Sequence, residues 1–252
     1  MTKPVALVTG GGQRIGRAIV EALAEAGFAV AIHYRCSREP AVALAGAIAD
    51  RGGRAITLDA DLADASAVET LVPRAVAALG PVSLLVNSAS IFEPDDVASF
   101  GIKLWEETFA VNLRAPMLLA RDVAAALPAG TGGAIVNILD QRVLRPNPQF
   151  FSYTLTKCAL ASATRTMAQA LAPRIRVNGV APGPTCAGRR QTDEDFASQS
   201  AGTLLGHGPS PADIAEAVLY LARATSVTGQ ILAVDGGQSL QWRTVDVDGI
   251  PE

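Results

Sequence analysis

A tyrosine and a lysine in this chain have types and spacing that could do chemistry. Tyr153 and Lys157 stand four residues apart in a segment of helical periodicity, so both side chains lie on one face of a helix. A cation beside a phenol favours the phenolate and lowers the phenol pKa from ~10 towards the range of a general acid at neutral pH. Asp140 ends the preceding apolar run, and such strand ends are where ligands bind in α/β sheets. The three side chains therefore predict proton transfer to a substrate.

A glycine-rich loop between the first apolar run and the first helical segment predicts a phosphate site. The loop reads TGGGQRIG from Thr9 to Gly16. Glycines let the backbone turn sharply and approach a pyrophosphate, which the free N–H groups and the dipole of the following helix attract. Glycines also form ordinary tight turns, but the position between a strand and a helix favours dinucleotide binding. The predicted nucleotide-binding residues of this loop are Gly10, Arg14, Ile15 and Gly16.

The end of the second apolar run predicts that the nucleotide is NADPH. Dinucleotide-binding sheets that use NAD place a carboxylate there to accept a hydrogen bond from the ribose 2′-hydroxyl. This chain reads HYRCSR over residues 33–38, and its next carboxylate is Glu39. A 2′-phosphate instead needs cationic and hydroxyl donors, which Arg14, Arg35 and Ser37 can supply from two adjacent loops. The alternative, that these arginines only solvate a surface turn, stays open.

Short β-branched runs alternate with longer alanine-rich stretches of helical period along the whole chain. Such alternation is typical of parallel strands joined by crossover helices. Helices are predicted from Arg14 to about Ala26, about Glu39 to Arg51, about Asp64 to Leu79, about Leu104 to Ala126, about Phe151 to Ala172 and from Ser210 onward. With seven strand candidates and no linker, residues 1–252 are expected to form one doubly wound Rossmann-type α/β domain with helices on both faces of a parallel sheet. Residues 185–209 predict an irregular lid loop, and residues 238–252 a C-terminal tail.

Composition narrows the classes of function. The 252 residues are 49% apolar and carry a formal net charge of −3 with no long basic run, which favours a small-molecule partner over nucleic acid or an anionic membrane. No run approaches about 20 apolar residues and no signal peptide opens the chain, so a cytoplasmic protein is expected. The three cysteines are far apart, so neither a disulfide framework nor a metal cluster is indicated.

Together these motifs resemble the short-chain dehydrogenase/reductase family from Val5 to about Gly237. The resemblance implies that the tyrosine donates a proton, that the lysine binds the nicotinamide ribose and tunes the tyrosine, and that Asn112 supports a relay water. It also implies a homotetramer that pairs the tyrosine-bearing helices and the last strand region. The further residues matched to nucleotide-binding positions are His33, Tyr34, Asp61, Leu62, Asn87, Ser88, Ala89, Tyr153, Lys157, Pro182 and Gly183.

Three departures from the usual family pattern resemble its pteridine reductase branch, which includes trypanosomatid pteridine reductases and bacterial dihydromonapterin reductases. Most members of the family have a glycine at the position of Arg14, an asparagine and then a glycine at Ser88 and Ser90, and a catalytic serine at Asp140. The residues of this chain that match the branch are Arg14, His33 and Tyr34 with Ser37, Ser90 with Phe92, and Asp140 thirteen residues before Tyr153.

The branch implies NADPH-dependent reduction of a ring C=N bond in a pterin or a folate. A pterin presents N–H donors, and a carboxyl at Asp140 can accept one of them or, when protonated, deliver a proton to nitrogen. Phe92 is expected to stack on the pterin, so Ser90, Phe92, Asp140 and Tyr153 form the predicted substrate site. The alternatives are a general NADPH-dependent carbonyl or 3-oxoacyl thioester reductase and a catalytically silent NADPH-binding regulator. Asp140 as a turn cap and Phe92 as packing beneath the lid also stay open.

Overall fold

The structure of the protein, a computed structural model, describes residues 3–188 and 190–243. Within those residues seven strands form one sheet. They are β1 (Val5–Val8), β2 (Ala29–Tyr34), β3 (Arg54–Asp59), β4 (Val82–Asn87), β5 (Gly133–Ile138), β6 (Ile175–Pro182) and β7 (Ile231–Val234). All neighbours pair in parallel, in the order β3-β2-β1-β4-β5-β6-β7. The predicted seven-stranded Rossmann-type sheet is confirmed.

Helices cover both faces of the sheet. They are α1 (Arg14–Glu25), α2 (Arg38–Asp50), α3 (Ala65–Leu79), α4 (Ile102–Phe109), α5 (Ala115–Ala126), α6 (Phe151–Leu171), α7 (Asp193–Ala201) and α8 (Pro211–Arg223). Buried apolar residues of α1, α2 and α8 form the core on one face, and those of α3, α5 and α6 form the core on the other. In β1, Val5 and Leu7 point into one core while Ala6 and Val8 point into the other. A strand covered on both faces therefore reads as a continuous apolar run.

The long helix predicted from about Leu104 to Ala126 is interrupted. Between α4 and α5, Ala110–Arg114 form a π-helical turn. Pro116 has no N–H to donate to the carbonyl of Asn112 four residues earlier, so a regular α-helix cannot continue unbroken through this point. π-helical turns within helices are frequent at functional sites, and this turn contains Asn112.

The segment predicted as an irregular lid, residues 185–209, contains helix α7. A capping box starts this helix, because the Thr192 hydroxyl accepts a hydrogen bond from the Asp195 backbone and the Asp195 carboxylate accepts one from the Thr192 backbone. The predicted lid loop is therefore partly helical, which the polar composition of the segment did not indicate. Of the predicted tail, residues 244–252 lie outside the described residues. No helix in the described ranges is long and apolar enough to span a bilayer.

Candidate active site

The predicted site residues lie together at the carboxyl edge of the sheet. The glycine loop follows β1, Asn87 ends β4, Asp140 follows β5 and Gly183 follows β6. The strand order reverses where β1 and β4 lie side by side. Open α/β sheets bind ligands in the crevice at such a reversal point. The fold therefore brings residues from four distant parts of the chain to one cleft.

Tyr153, Asp140 and Lys157 form the chemical centre of this cleft. The Tyr153 phenol donates a hydrogen bond to Oδ2 of Asp140 at 2.8 Å. The Lys157 ammonium donates to the carbonyl oxygen of Ile138 at 2.7 Å, and its Nζ lies 5.6 Å from the centroid of the Tyr153 ring. The tyrosine is 6% exposed and the lysine 2%. The buried ammonium is thus held by a backbone carbonyl close to the carboxyl group.

The ionisation of this centre differs from the expectation. Burial raises the pKa of Asp140, and burial together with the adjacent Asp140 charge raises the pKa of Tyr153 well above its ordinary value. Burial lowers the pKa of Lys157 to about 8. The expected lowering of the phenol pKa by the lysine is not seen in this structure, because burial and the Asp140 carboxyl bonded to the phenol oxygen both raise that pKa. Tyr153 is a neutral phenol that donates towards Asp140.

Asn112 holds the loop that follows β4. Its Oδ1 accepts a hydrogen bond from the Ile91 backbone N–H at 2.8 Å, and its Nδ2 donates to the Ile91 carbonyl at 2.9 Å. The same Nδ2 donates to Oγ1 of Thr156 at 3.2 Å, and the Thr156 hydroxyl donates to the Tyr153 carbonyl at 2.7 Å. Asn112 therefore connects α6 to the loop that carries Phe92. Sequence reasoning missed Thr156, whose one signal was a polar side chain on the sheet-facing side of a helix.

The first turn of α6 is fixed by Asp95, a second residue that the sequence did not indicate. Its carboxylate accepts hydrogen bonds from the Ser152 backbone N–H at 3.1 and 3.2 Å, and also from the Ser152 hydroxyl. A carboxylate at a helix N-terminus satisfies free N–H groups and complements the helix dipole. Because Tyr153 is the next residue, this contact sets the position of the phenol.

Phe92 belongs to an aromatic cluster at the mouth of the cleft. Its ring stacks on that of Phe150 with centroids 4.1 Å apart and planes 7° from parallel, and it meets the Tyr153 ring edge-on at 4.6 Å. Phe92 is 40% exposed, so it is not packed away beneath the lid. Phe150 has a φ of 56°, which is uncommon for a bulky residue. Ser90 is exposed beside this cluster, and its hydroxyl lies 3.4 Å from the Ile91 carbonyl.

The glycine loop packs tightly against the end of β4. Gly10 has a φ of +63°, and a Cβ there would lie 3.0 Å from the Cα of Ala89. A Cβ at Gly16 would lie 2.1 Å from the Gly10 carbonyl oxygen, so no larger residue fits. Oγ1 of Thr9 accepts hydrogen bonds from the Ser88 and Ala89 backbone at 3.0 and 3.1 Å. The two loops thus form one rim at the N-terminus of α1.

His33 holds the glycine loop by a hydrogen bond to its backbone. Its Nδ1 accepts a hydrogen bond from the Gly10 backbone N–H at 3.1 Å, so Nε2 carries the proton and donates to the Ala60 carbonyl at 3.1 Å. Burial lowers the pKa of His33 to about 4, which keeps the ring neutral. Both ring nitrogens are occupied by backbone groups, so the side chain positions the glycine loop.

Comparison with known proteins assigns this arrangement to a family. The family described as short chain dehydrogenase matches residues 4–196, well over half of the chain. A short-chain type dehydrogenase/reductase of Picea abies is 35% identical over 253 residues, which cover 93% of this chain and 92% of that protein. The chain belongs to the short-chain dehydrogenase/reductase family.

Two further members show how widely the function varies among similar proteins. The 3-oxoacyl-[acyl-carrier-protein] reductase FabG of Staphylococcus aureus is 32% identical, over 94% of this chain and 98% of its own. FolM alternative dihydrofolate reductase 1 from Brucella canis, whose crystal structure is complexed with NADP, is 50% identical in sequence to this chain. The two structures superpose with a TM-score of 0.94 over 97% of each chain. Family membership makes the protein an oxidoreductase by class and leaves the substrate to the site.

The end of the cleft where the sequence predicts the adenosine of the nucleotide, the adenosine end, contains an ion-pair cluster in this short-chain dehydrogenase/reductase. The Arg35 guanidinium lies 3.3 Å from Oε1 of Glu107 and 4.0 Å from Oδ1 of Asp61. Oγ of Ser37 lies beside the glycine loop, because a Cβ at Gly12 would be 3.0 Å from it. Of these two predicted phosphate ligands, Ser37 therefore flanks the loop, while Arg35 pairs with the two carboxylates. Glu107, on α4, was not predicted, since nothing in the sequence links it to a residue 72 positions away.

Arg14 is directed at the lid. Its two terminal nitrogens donate to the Ala187 carbonyl at 2.8 Å and to the Cys186 carbonyl at 3.2 Å. Arg14 has a left-handed φ of 53°, which accounts for the glycine that most family members have at this position. On the opposite rim, Arg190 of the lid donates to the Phe92 carbonyl at 2.8 Å. Arginines therefore connect the lid to both sides of the cleft.

The remaining predicted residues line or support the same edge. Asn87 donates to Oδ1 of Asn137 across the β4–β5 pair at 2.8 Å, while its own Oδ1 is buried without a hydrogen-bond partner within the described ranges. A Cβ at Gly183 would lie 2.7 Å from the Cα of Asp235, so a glycine is required after Pro182. Supporting positions are taken by Leu62, which is buried in the core beneath α3, and by Ile15 and Tyr34, which pack partly buried on the opposite core.

Proposed function

We propose that this protein is an NADPH-dependent reductase that transfers hydride to a C=N bond of a pterin, either a dihydropterin such as dihydromonapterin or dihydrobiopterin, or dihydrofolate. The observation that carries the proposal is the 2.8 Å hydrogen bond from the Tyr153 phenol to Asp140. An acid at this position can protonate nitrogen, which the serine of an alcohol-forming relative cannot do. The 50% identity to the Brucella canis protein, which is named a dihydrofolate reductase and was crystallised with NADP, supports both the substrate class and the nucleotide.

The residues present fit NADPH. A side chain fits at neither Gly10 nor Gly16, so the loop turns tightly into the start of α1, where free N–H groups would bind a pyrophosphate. No carboxylate occurs over residues 33–38, and Arg35 and Ser37 would hold the 2′-phosphate. The unpartnered Oδ1 of Asn87 is a buried acceptor at the edge where the nucleotide would lie. NADPH, when bound, supplies the hydride.

The chain's own residues would manage the proton. Burial favours the protonated form of Asp140, and a protonated carboxyl can donate to a ring nitrogen. The Tyr153 phenol, whose own pKa is raised, would stay protonated and would stabilise the resulting carboxylate through their hydrogen bond. Lys157, held by Ile138, would contact the nicotinamide ribose, and Asn112 keeps the π-helical turn and the Phe92 loop in register. Phe92 would offer a ring surface to the flat heterocycle.

A carbonyl or 3-oxoacyl thioester reductase is the second candidate, favoured by the Staphylococcus aureus relative at 32% identity over most of both chains. The deciding experiment is a panel of dihydropterins, dihydrofolate and acetoacetyl thioesters, followed by NADPH consumption. We expect turnover of at least one pterin or folate and little of the thioesters. Turnover of thioesters or ketones with none of the pterins would refute the pterin proposal and leave the family assignment unchanged.

The Asp140→Ser variant sharpens this test. Loss of a positioned acid should lower pterin turnover by roughly 10² or more, and the fall in wild-type turnover as pH rises through the carboxyl pKa should vanish. Asp122→Ser is a matched control, because that carboxylate is 19% exposed against 22% for Asp140 but pairs with Arg121 on α5. Equal losses in the two variants would indicate a general effect on folding.

A homotetramer is also proposed from the family resemblance. Large apolar side chains are exposed on the helix that bears the tyrosine and on the last helix and strand, at Leu155, Tyr220 and Leu232. Exposed apolar residues on these elements fit subunit contacts through both regions. Light scattering coupled to size exclusion should give four times the 26.0 kDa chain mass. A monomeric mass would contradict this assembly.

A further inference from the structure

Arg142 is a largely enclosed cation that sequence reasoning did not place in the site. It lies in the short 3₁₀ turn Gln141–Val143, directly after Asp140, and its side chain is 12% exposed. Its Nη1 donates to Oδ1 of Asn147 at 2.6 Å and to the Gln149 carbonyl at 2.8 Å. Burying a guanidinium to this extent costs desolvation free energy unless such partners accept its hydrogen bonds. This one side chain therefore ties down the loop between Asp140 and α6.

Arg142 also contacts the Asp140 carboxyl. The Arg142 backbone N–H donates to Oδ1 at 2.8 Å, and the guanidinium Nε lies 3.8 Å from the same oxygen. The other oxygen, Oδ2, accepts the phenol of Tyr153. The two oxygens are therefore divided between two partners, and the plane of the carboxyl is set. An opposite charge this close favours the ionised form of the acid.

The same guanidinium lies against the aromatic cluster. Its central carbon is 5.7 Å from the centroid of Phe92 and 5.1 Å from that of Phe150, within the range of cation–π attraction. Because Arg142 also holds the Gln149 carbonyl, it anchors the residue before Phe150, which has a left-handed φ of 56°. Arg142 thus bridges the proton donor and the stacking surface.

We propose that Arg142 is a positioning residue for the reaction. It orients the Asp140 carboxyl, favours the ionised form of that carboxyl, and holds Phe92 and Phe150 stacked beside it. The inference rests on the proposed function in one respect, that Asp140 donates the proton. One cation thus contacts both the Asp140 carboxyl and the stacked rings of Phe92 and Phe150. The pH range of turnover is then set by Arg142, a residue that does not itself transfer the proton.

The charges that face Asp140 give the sign of the effect. Tyr153, Lys157 and Cys158 approach it from α6, and Arg142 approaches it from the 3₁₀ turn. The ammonium of Lys157 is bonded to the Ile138 carbonyl, so Arg142 is the cation that contacts a carboxyl oxygen. Replacing it by a neutral residue removes stabilisation of the carboxylate, and Asp140 then keeps its proton to higher pH. The alkaline limb of turnover should move upward by about 1 pH unit.

The test compares Arg142→Met with the wild type by two measurements. The Asp140 carboxyl is titrated in the full-length protein by ¹³C NMR of labelled aspartate, with its signal assigned from Asp140→Asn. The pH profile of NADPH-dependent dihydropterin reduction is then recorded. We expect both midpoints to rise together by about 1 pH unit. An unchanged carboxyl midpoint would overturn the proposal, and so would a raised midpoint with an unchanged profile.

Further variants separate charge from loop structure and protect the test if Arg142→Met folds poorly. Asn147→Ala removes one anchor of the loop but leaves the charge, so its carboxyl midpoint should match the wild type. Arg142→Lys retains a cation and should shift the midpoint less than Arg142→Met. Arg145→Met, at a neighbouring exposed arginine, is the neutral control. A shift in Asn147→Ala as large as in Arg142→Met would overturn the role of the charge. Because the NMR titration needs no substrate, it separates failure of this inference from failure of the pterin assignment.

Discussion

The two ends of the cleft handle charge in opposite ways. At the end proposed to bind the substrate, where Asp140 lies and which we call the substrate end, Tyr153 and Lys157 are almost fully buried. Each of them has a hydrogen-bond partner within 2.8 Å. At the adenosine end, Arg35 and Glu107 are 49% and 36% exposed, and their ion pair spans 3.3 Å. A charge in a buried environment is weakly screened, whereas exposed ion pairs contribute about 0–1 kcal/mol. The substrate end is suited to changing the pKa of its own side chains. The adenosine end is suited to exchanging the Glu107 carboxylate for another anion beside Arg35.

This contrast has a structural cause. The substrate end is made from the first two turns of α6 and the end of β5. Asp95, Asn112 and Thr156 hold the helix by hydrogen bonds, and Lys157 connects it to the end of the strand at the Ile138 carbonyl. The adenosine end is made from two surface loops and the outer face of α4. Mutations at the substrate end should therefore change turnover strongly, while those at the adenosine end should shift a preference.

The largest effect is expected for Tyr153→Phe. Removing the phenol hydroxyl should lower turnover by about 10²–10⁴, the usual scale for a positioned acid, because Asp140 loses its hydrogen-bond donor. NADPH affinity by titration calorimetry should stay close to wild type. Tyr220→Phe, at an exposed tyrosine on α8, is the control; it removes the same hydroxyl outside the cleft, keeps the ring at the proposed subunit contact, and should keep wild-type turnover. Near-normal turnover in Tyr153→Phe would remove the contrast between the two ends.

The free energy of unfolding should depend on pH through the ionisation of Lys157. Its pKa is lowered from 10.5 to about 8 by burial, so the folded state binds this proton less tightly than the unfolded chain. The free energy of unfolding should therefore rise with pH from about 8, by up to about 1.4 kcal/mol per pH unit. Urea denaturation between pH 7 and ~9, below the pKa near ~10 at which tyrosines ionise in the unfolded chain, measures this slope. Burial also raises the pKa of Cys158 and Cys186, which adds an opposing slope, so the contribution of Lys157 is the difference between the wild type and Lys157→Met. Lys157→Met should lose it and the exposed Lys103→Met should keep it; equal slopes in all three proteins would argue that Lys157 is not buried.

Phe92→Ala tests the stacking surface. We expect roughly tenfold weaker dihydropterin binding, since stacking contributes about 0.5–1.5 kcal/mol beyond the loss of buried area. NADPH affinity should change little. Phe92→Leu, which keeps most of the apolar volume but no ring, distinguishes stacking from simple burial. Unchanged pterin affinity in both variants would return Phe92 to a packing role.

The smallest effects are expected at the adenosine end. NADPH should bind at least about tenfold more tightly than NADH, or about 1.4 kcal/mol, and Arg35→Asp should shrink that gap. Glu107→Gln removes the carboxylate that competes for Arg35 and should widen the gap by a few-fold, an effect that weakens with added salt. Arg51→Asp, at a distant exposed arginine, is the control. Equal affinities for the two nucleotides in the wild type would contradict the assigned role of Arg35.

The amino-acid sequence by itself determined the parallel sheet, most of its helices and the members of the chemical centre. The continuous apolar run of β1, the glycine loop after it and the thirteen-residue spacing from Asp140 to Tyr153 are local patterns, and local patterns depend on neighbours within a few residues. The π-helical turn at Asn112 also has a local cause, since Pro116 lacks the N–H that would bond to the Asn112 carbonyl.

Only the tertiary structure decided which side chains meet. Tyr153 is buried and bonded to the Asp140 carboxyl, which reverses the expected shift of its pKa, Arg35 pairs with Glu107, and Arg142 lies against Phe92. These contacts join residues from different elements, and they exist because strand order and register bring the ends of β1, β4 and β5 to one edge. Periodicity carries no information about such pairings. Burial of the resulting cluster then sets its electrostatics, because a buried charge responds to every neighbour that the fold places beside it.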